Sequence, residues 1–222
     1  MSFTQRIFTD QECDKIYDLS QKVGSSSDKG KRFTFMDQSD SSDENQQQMV
    51  SNFYDTFFDM LAKNSLYSGS LVPDSSSTPN VYTSTEELGE EWGWHRDDFK
   101  TPEADMMREW TVILSLNDPE EYDDGEVIIL GGGSESVFKM PKGWICFAPS
   151  AQYVKFNKVT KGRRILMRWA VESLVKDPRE IELLTRYTQL YHAFKENLSG
   201  QADDLFSLAN NMLLNYMIRE KE

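Results

Sequence analysis

Histidine and cysteine are scarce in this chain: two of each in 222 residues. Cys13 and Cys146 stand far apart, with no C-x-x-C pair, which excludes a zinc ribbon or a disulfide framework and fits the reducing cytoplasm. With only His95 and His192 available, any imidazole chemistry falls to those two residues. Positive charge is also short, 24 Lys and Arg against 37 Asp and Glu, for a net charge of −13. Such a field repels phosphate, so neither nucleic acid nor an anionic membrane is an expected partner. The basic stretch "KVTKGRR" reads as a solvated turn. No apolar run reaches membrane-spanning length, and the opening "MSFTQRIFTDQECDK" lacks the apolar core of a leader, so the expected location is cytoplasmic. No G-x-S-x-G elbow accompanies either histidine, which argues against a serine nucleophile.

Aromatic residues are plentiful, with thirteen Phe, nine Tyr and five Trp, enough for a packed core. Thr9 and Glu12 form a capping box ahead of a helical stripe (Cys13, Ile16, Tyr17, Leu19) that runs to about Val23. Ser41 and Glu44 repeat that signal before a second helix with Met49, Val50, Phe53, Tyr54, Phe57, Phe58 and Leu61 on its buried face. "FTFMDQ" between them is a candidate short strand. From Val81 to about Ser173 short β-branched and aromatic runs ("WTVILSLN", "GEVIIL", "SVFKM", "WICFAP", "YVKFNKV", "RILMRWAVE") alternate with Gly, Pro, Asn and Asp, the texture of an antiparallel sandwich or barrel. After Asp177-Pro178 a helical period returns; "NLSGQADD" breaks it, and "LFSLANNMLLNYMI" forms a last helix. The order is α+β, with an oxygenase-sized domain expected over 1–176 (β core about 80–175) and a helical extension over 177–222 packed on it.

"WGWHRDD", residues 92–98, carries the chemistry. Alternate residues of a strand share a face, so His95 and Asp97 can address one ion from neighbouring pleats. An imidazole with a carboxylate suits Fe(II), Mn(II) or Zn(II). Asp98, on the other face, is expected to matter little. A bare H-x-D also occurs in surface ion pairs, so its context decides.

That context is "VYTSTEELGEEWGWHRDD", followed by "REWTVILSLNDPEEYDDGEVII", "MPKGWICFAPSAQYVKFNKVTKGRRILMRWAVESLVKD" and "REIELL". In order and spacing these segments resemble the iron- and 2-oxoglutarate-dependent oxygenases, and within them the PKHD-type hydroxylases, relatives of the prolyl 4-hydroxylases. The resemblance implies a double-stranded β-helix (jelly roll) flanked by N- and C-terminal helices. It implies Fe(II) and 2-oxoglutarate as cofactors, ascorbate as a candidate reductant, and hydroxylation of an aliphatic C–H in a peptidyl (prolyl included) or small-molecule substrate. It makes His95 and Asp97 the first two metal ligands and Arg164 the partner of the cosubstrate's distal carboxylate, a task a guanidinium fork suits. Arg163, on the opposite strand face, is expected in solvent. Tyr82, Trp92, Arg108 and Ser115 match pocket-lining positions.

The pattern breaks at the third ligand. Counting ten back from Arg164, and aligning Pro149-Ser150 and the "VTKG" turn, both give Val154, which cannot bind a metal. His192 reads as a helix-face residue. Three explanations stand side by side: Gln152, on the Val154 face, lends an amide oxygen; iron binds through His95, Asp97, 2-oxoglutarate and water; or the chain is a catalytically silent jelly-roll binding protein. A cupin-like binder of another metal is a fourth, weaker reading.

Overall fold

The computed structural model describes residues 3–23, 25–26, 33–35, 44–77, 79–85, 92–97, 106–195 and 200–219. Ser41 and Asp98 lie outside them. In chain order the elements are β1 (Phe3–Arg6), α1 (Asp10–Val23), β2 (Ser25–Ser26), β3 (Phe33–Phe35), α2 (Glu44–Lys63), α3 (Ser65–Leu71), β4 (Pro73–Ser76), β5 (Asn80–Thr85) and β6 (Trp92–His95). Then come β7 (Trp110–Ser115), a single 3₁₀ turn, β8 (Tyr122–Asp124), β9 (Val127–Gly131), β10 (Ser134–Phe138), β11 (Trp144–Pro149), β12 (Tyr153–Phe156), β13 (Val159–Ser173), α4 (Pro178–Phe194) and α5 (Gly200–Arg219). The chain divides into two compact units, one of residues 1–60 with 75–172, the other of residues 61–74 with 173–222.

The first unit is mixed α/β, with two antiparallel sheets. The larger runs β1-β11-β7-β13-β5-β3-β2, with β4 and β8 also pairing with β13; the smaller runs β10-β9-β12-β6. The long strand β13 organises the larger sheet, with β7 on one side and β5 on the other. Its alternation sends Arg164, Leu166 and Arg168 to one face and Ile165, Met167 and Trp169 to the other. Leu166 joins Ile113, Cys146 and Ala148 of the same sheet and Val127, Ile129, Val154 and Phe156 of the smaller one in a single buried cluster. That cluster is the interior between the sheets. On the far face Trp169 meets Phe57 of α2 edge-on at 5.3 Å, and Phe57 stacks with Phe53 at 6.1 Å.

Helix α1 opens as its capping box requires. The Thr9 N–H and hydroxyl donate to the Glu12 carboxylate, at 2.8 and 2.9 Å, and the Glu12 N–H donates back to Thr9 Oγ1. Strand β1 escaped the sequence reading because four residues carry no period; it forms by pairing with β11, far away in sequence. Gly162, in the "VTKG" turn, has φ +76°, and a Cβ there would lie 2.1 Å from the Glu121 carbonyl oxygen, so only glycine brings β13 past β8.

The second unit holds α3, α4 and α5. Asn64 and Asp177 cap α3 and α4 with their side chains, and Pro178 opens α4. Helix α3 was not foreseen, because "SLYSGSL" is a Ser/Gly-rich run that propensity alone assigns to loop. The last helix starts at Gly200, inside the stretch expected to break it. Among the described residues no helix is long and apolar enough to cross a membrane.

Candidate functional site

The interior between the sheets collects most of the residues singled out from sequence. Strand β6 pairs with β12, His95 opposite Val154 and Trp92 opposite Phe156. Two residues of β6, Gly93 and Trp94, thus lie opposite one of β12, Lys155, a bulge that turns both Trp92 and His95 to the same side. Both then pack on Phe156: Trp92 edge-on at 5.5 Å, His95 stacked at 5.9 Å. Tyr82 closes on Trp92 at 5.3 Å. The bulge also sets the imidazole, because Nδ1 lies 2.8 Å from the Gly93 carbonyl and must donate to it. Nε2, which in the neutral ring then carries the lone pair, is shielded from solvent and without a hydrogen-bond partner.

Asp97 lies just beyond the strand, and each of its oxygens accepts a hydrogen bond. Its Oδ1 accepts from Arg168 Nη2, and its Oδ2 accepts from Thr111 Oγ1 at 2.6 Å. The single Thr111 proton goes to the carboxylate, so at 2.9 Å Ser150 Oγ donates to Thr111. The ion pair is nearly sealed, with Arg168 11% and Asp97 14% exposed in their side chains. Burial alone would raise the Asp97 pKa; the Arg168 charge, the hydrogen bonds from Thr111 and Arg168, and the Arg108 charge outweigh it and hold it below the usual carboxylate range. Burial pushes the Tyr82 phenol up.

Arg164 is 4% exposed. Its Nη1 donates to the carbonyls of Gly125 (2.6 Å) and Asn157 (3.2 Å), and its Nη2 to Ser84 Oγ (3.0 Å). Nε has no partner, and among the described residues no carboxylate forms an ion pair with the guanidinium, although the Glu126 charge favours it from a distance. Burial lowers its pKa to about 10. Its neighbour Arg163 faces the other way, donating to the Tyr17 hydroxyl of α1 at 3.3 Å. Arg164 and Arg168 both lie against Phe156, their guanidinium carbons 5.6 and 5.7 Å from its ring centre.

Other sequence candidates fall elsewhere. The Ser115 hydroxyl donates to the Asn117 carbonyl at 2.8 Å, a local main-chain contact. Gln152 sits in the turn before β12 with its amide over Gly131, where a Cβ would come within 2.5 Å of it; its Oε1 is buried without a partner. Arg108 is half-buried with Nε unpartnered. His192 belongs to α4, in the second unit, 2.8 Å from Ser65 Oγ. Sequence reasoning missed Arg168, Thr111 and Phe156. Period-2 alternation from Arg164 was the available signal for Arg168.

The donor set does not fit a three-ligand iron centre. Among the described residues no group of three or more His, Cys, Asp or Glu side chains is placed to hold a metal. Val154, 5% exposed, faces His95 where an imidazole would be needed, and a guanidinium neutralises Asp97.

The fold is that of the 2-oxoglutarate/Fe(II) oxygenases. A solved oxidoreductase of that family from Burkholderia pseudomallei superposes with a TM-score of 0.52 at 14% identity, covering 76% of this chain and 82% of that one. Within that class the chain is related to PKHD-type hydroxylases. One from Gloeothece citriformis is 30% identical over 145 residues, 64% of this chain and 65% of that protein. Another, from Escherichia coli, is 26% identical over 163 residues, 71% of this chain and 69% of that protein. The match to the first of these spans slightly under two thirds of its length. No family model matches the chain.

Proposed function

We propose that the chain is a 2-oxoglutarate-binding protein on a double-stranded β-helix, with Arg164 receiving the distal carboxylate of the ligand. One observation carries this reading: a buried guanidinium whose hydrogen bonds among the described residues all go to neutral groups, and whose Nε has no partner. A charge taken out of water without a counter-charge is costly, and a carboxylate ligand removes that cost with charge-assisted hydrogen bonds. The Tyr82–Trp92–Phe156 wall supplies apolar cover for the ligand's methylenes. The domain reading over 1–176, with 177–222 as an extension, belongs to this proposal.

A second reading is an Fe(II)/2-oxoglutarate-dependent dioxygenase that hydroxylates an aliphatic C–H of a peptidyl or small-molecule substrate. The unpartnered lone pair of His95 favours it, since that is the tautomer a metal ligand needs. Iron would supply dioxygen activation. Against it stand Val154 and the closed Asp97–Arg168 pair.

Calorimetry of 2-oxoglutarate, beside a succinate assay with Fe(II), ascorbate and oxygen, separates the two. Binding without succinate above background is expected. Multiple turnovers to succinate would install the dioxygenase in its place, and absence of binding under every condition would remove both.

A further inference from the structure

We infer that Arg168 replaces the metal: its guanidinium is the site's own cation, and with Arg164 it clamps a short dicarboxylate without any ion. The inference rests on Arg164 receiving one carboxylate of that ligand. Asp97 is where a cation would have to bind, and its two oxygens already accept from Arg168 and Thr111. An ion on that carboxylate would have to displace a nearly sealed, charge-assisted pair or sit beside the Arg168 charge, and both are costly. It would gain His95 but no third donor, because Val154 stands opposite. The metal is therefore excluded by occupancy as well as by the loss of a ligand.

Arg168 has capacity left for a second acid. Among the described residues only its Nη2 makes a hydrogen bond, so Nε and Nη1 have no acceptor there. Arg164 and Arg168 are i and i+4 on one face of β13. Both lie within 5.7 Å of the Phe156 ring centre, so their guanidinium carbons are no more than about 11 Å apart. A separation within that bound is one that a five-carbon diacid can bridge, with a guanidinium at each end. Such a clamp reads two carboxylates and has no ion for a 2-oxo acid to chelate, so the keto group becomes dispensable. This sets specificity: short dicarboxylates as a class.

The test uses the whole chain. 2-Oxoglutarate and glutarate are titrated calorimetrically in EDTA, and Mn(II) uptake is followed by electron paramagnetic resonance. The proteins are wild type, Arg168→Leu, Arg168→Leu/Asp97→Asn and Arg164→Leu. Wild type should bind both diacids within about threefold of each other and leave Mn(II) free. Arg168→Leu should lose about tenfold or more in diacid affinity and take up Mn(II) at least about tenfold more tightly, because Asp97 is released. The double variant, in which both charges are gone, should lose the same diacid affinity and bind no Mn(II); it carries the test if Arg168→Leu does not fold. Wild type taking up Mn(II) as tightly as Arg168→Leu, glutarate binding more than about tenfold more weakly than 2-oxoglutarate, or full diacid affinity in the Arg168 variants would overturn the inference. If Arg164→Leu alone keeps wild-type affinity, the underlying reading of the pocket falls instead.

Discussion

Arg164 and Arg168 project from the same face of β13, yet their charges are met in opposite ways. At the Arg164 end every hydrogen-bond partner among the described residues is a neutral carbonyl or hydroxyl, and Glu126 acts on the guanidinium only from a distance, without a direct pair. At the Arg168 end the carboxylate of Asp97 closes the pair, and a hydroxyl relay from Ser150 through Thr111 holds that carboxylate in place. One end is open to an anion and the other is closed to a cation. The contrast teaches that the loss of a metal ligand need not leave a hole: the same interior can be re-satisfied by a side chain two repeats of the alternation beyond Arg164.

The strongest way to break the contrast is to rebuild the metal end. Val154→His places an imidazole directly across from His95, with Cβ atoms about 5 Å apart in a paired position. While Arg168 remains on Asp97 the gain in Mn(II) affinity should be small. Val154→His/Arg168→Leu should gain about a hundredfold over wild type, two tenfold steps of roughly 1.4 kcal/mol each. Gln152→Ala is the control: its amide lies over Gly131, and no change in metal uptake is expected. A Val154→His protein that already binds Mn(II) as well as the double variant would show that Arg168 does not obstruct the ion.

A smaller effect sharpens the open end. Arg164→Lys keeps the charge but loses the fork, so 2-oxoglutarate affinity should fall about tenfold by calorimetry. Arg163→Lys, on the Tyr17 side of the strand, should leave it unchanged. The reverse pattern would mean the strand is read one residue out of register.

The smallest effect concerns acid. Asp97 has a lowered folded-state pKa, so its contribution to stability is fully present above the unfolded value of about 4 and is lost as pH falls from there through the folded value. Thermal melts should therefore be flat in this respect down to about pH 5 and decline below pH 4. Arg168→Leu/Asp97→Asn should decline less steeply over that window. Equal acid limbs in the two proteins would show that the pair contributes nothing measurable.

Much of this was readable in the chain. The span of the strands and the inward Arg164 with its outward neighbour follow from alternation, which a strand obeys without help from distant residues, and the family resemblance pointed to Val154; its pairing with His95 is a register that only the fold supplies. Two kinds of feature were not. The bulge at Gly93-Trp94 breaks the period-2 rule, so the shared side of Trp92 and His95 was invisible to it. The Asp97–Arg168–Thr111 contacts join residues from three elements remote in sequence, and only the folded register brings them together. Arginine in "RILMRWAVE" looks like one more strand residue until its partner is known.

The aromatic packing around Trp92 makes the interior optically self-reporting. Its indole touches Tyr82, His95 and Phe156, the ring on which both guanidinium groups rest. Any ligand lying along Phe156 changes the polarity and quenching that this one indole experiences. The difference between the emission of the native chain and that of Trp92→Phe then isolates the signal from the other four tryptophans. Ligand arrival could in this way be timed in a stopped-flow cuvette without label, metal or turnover.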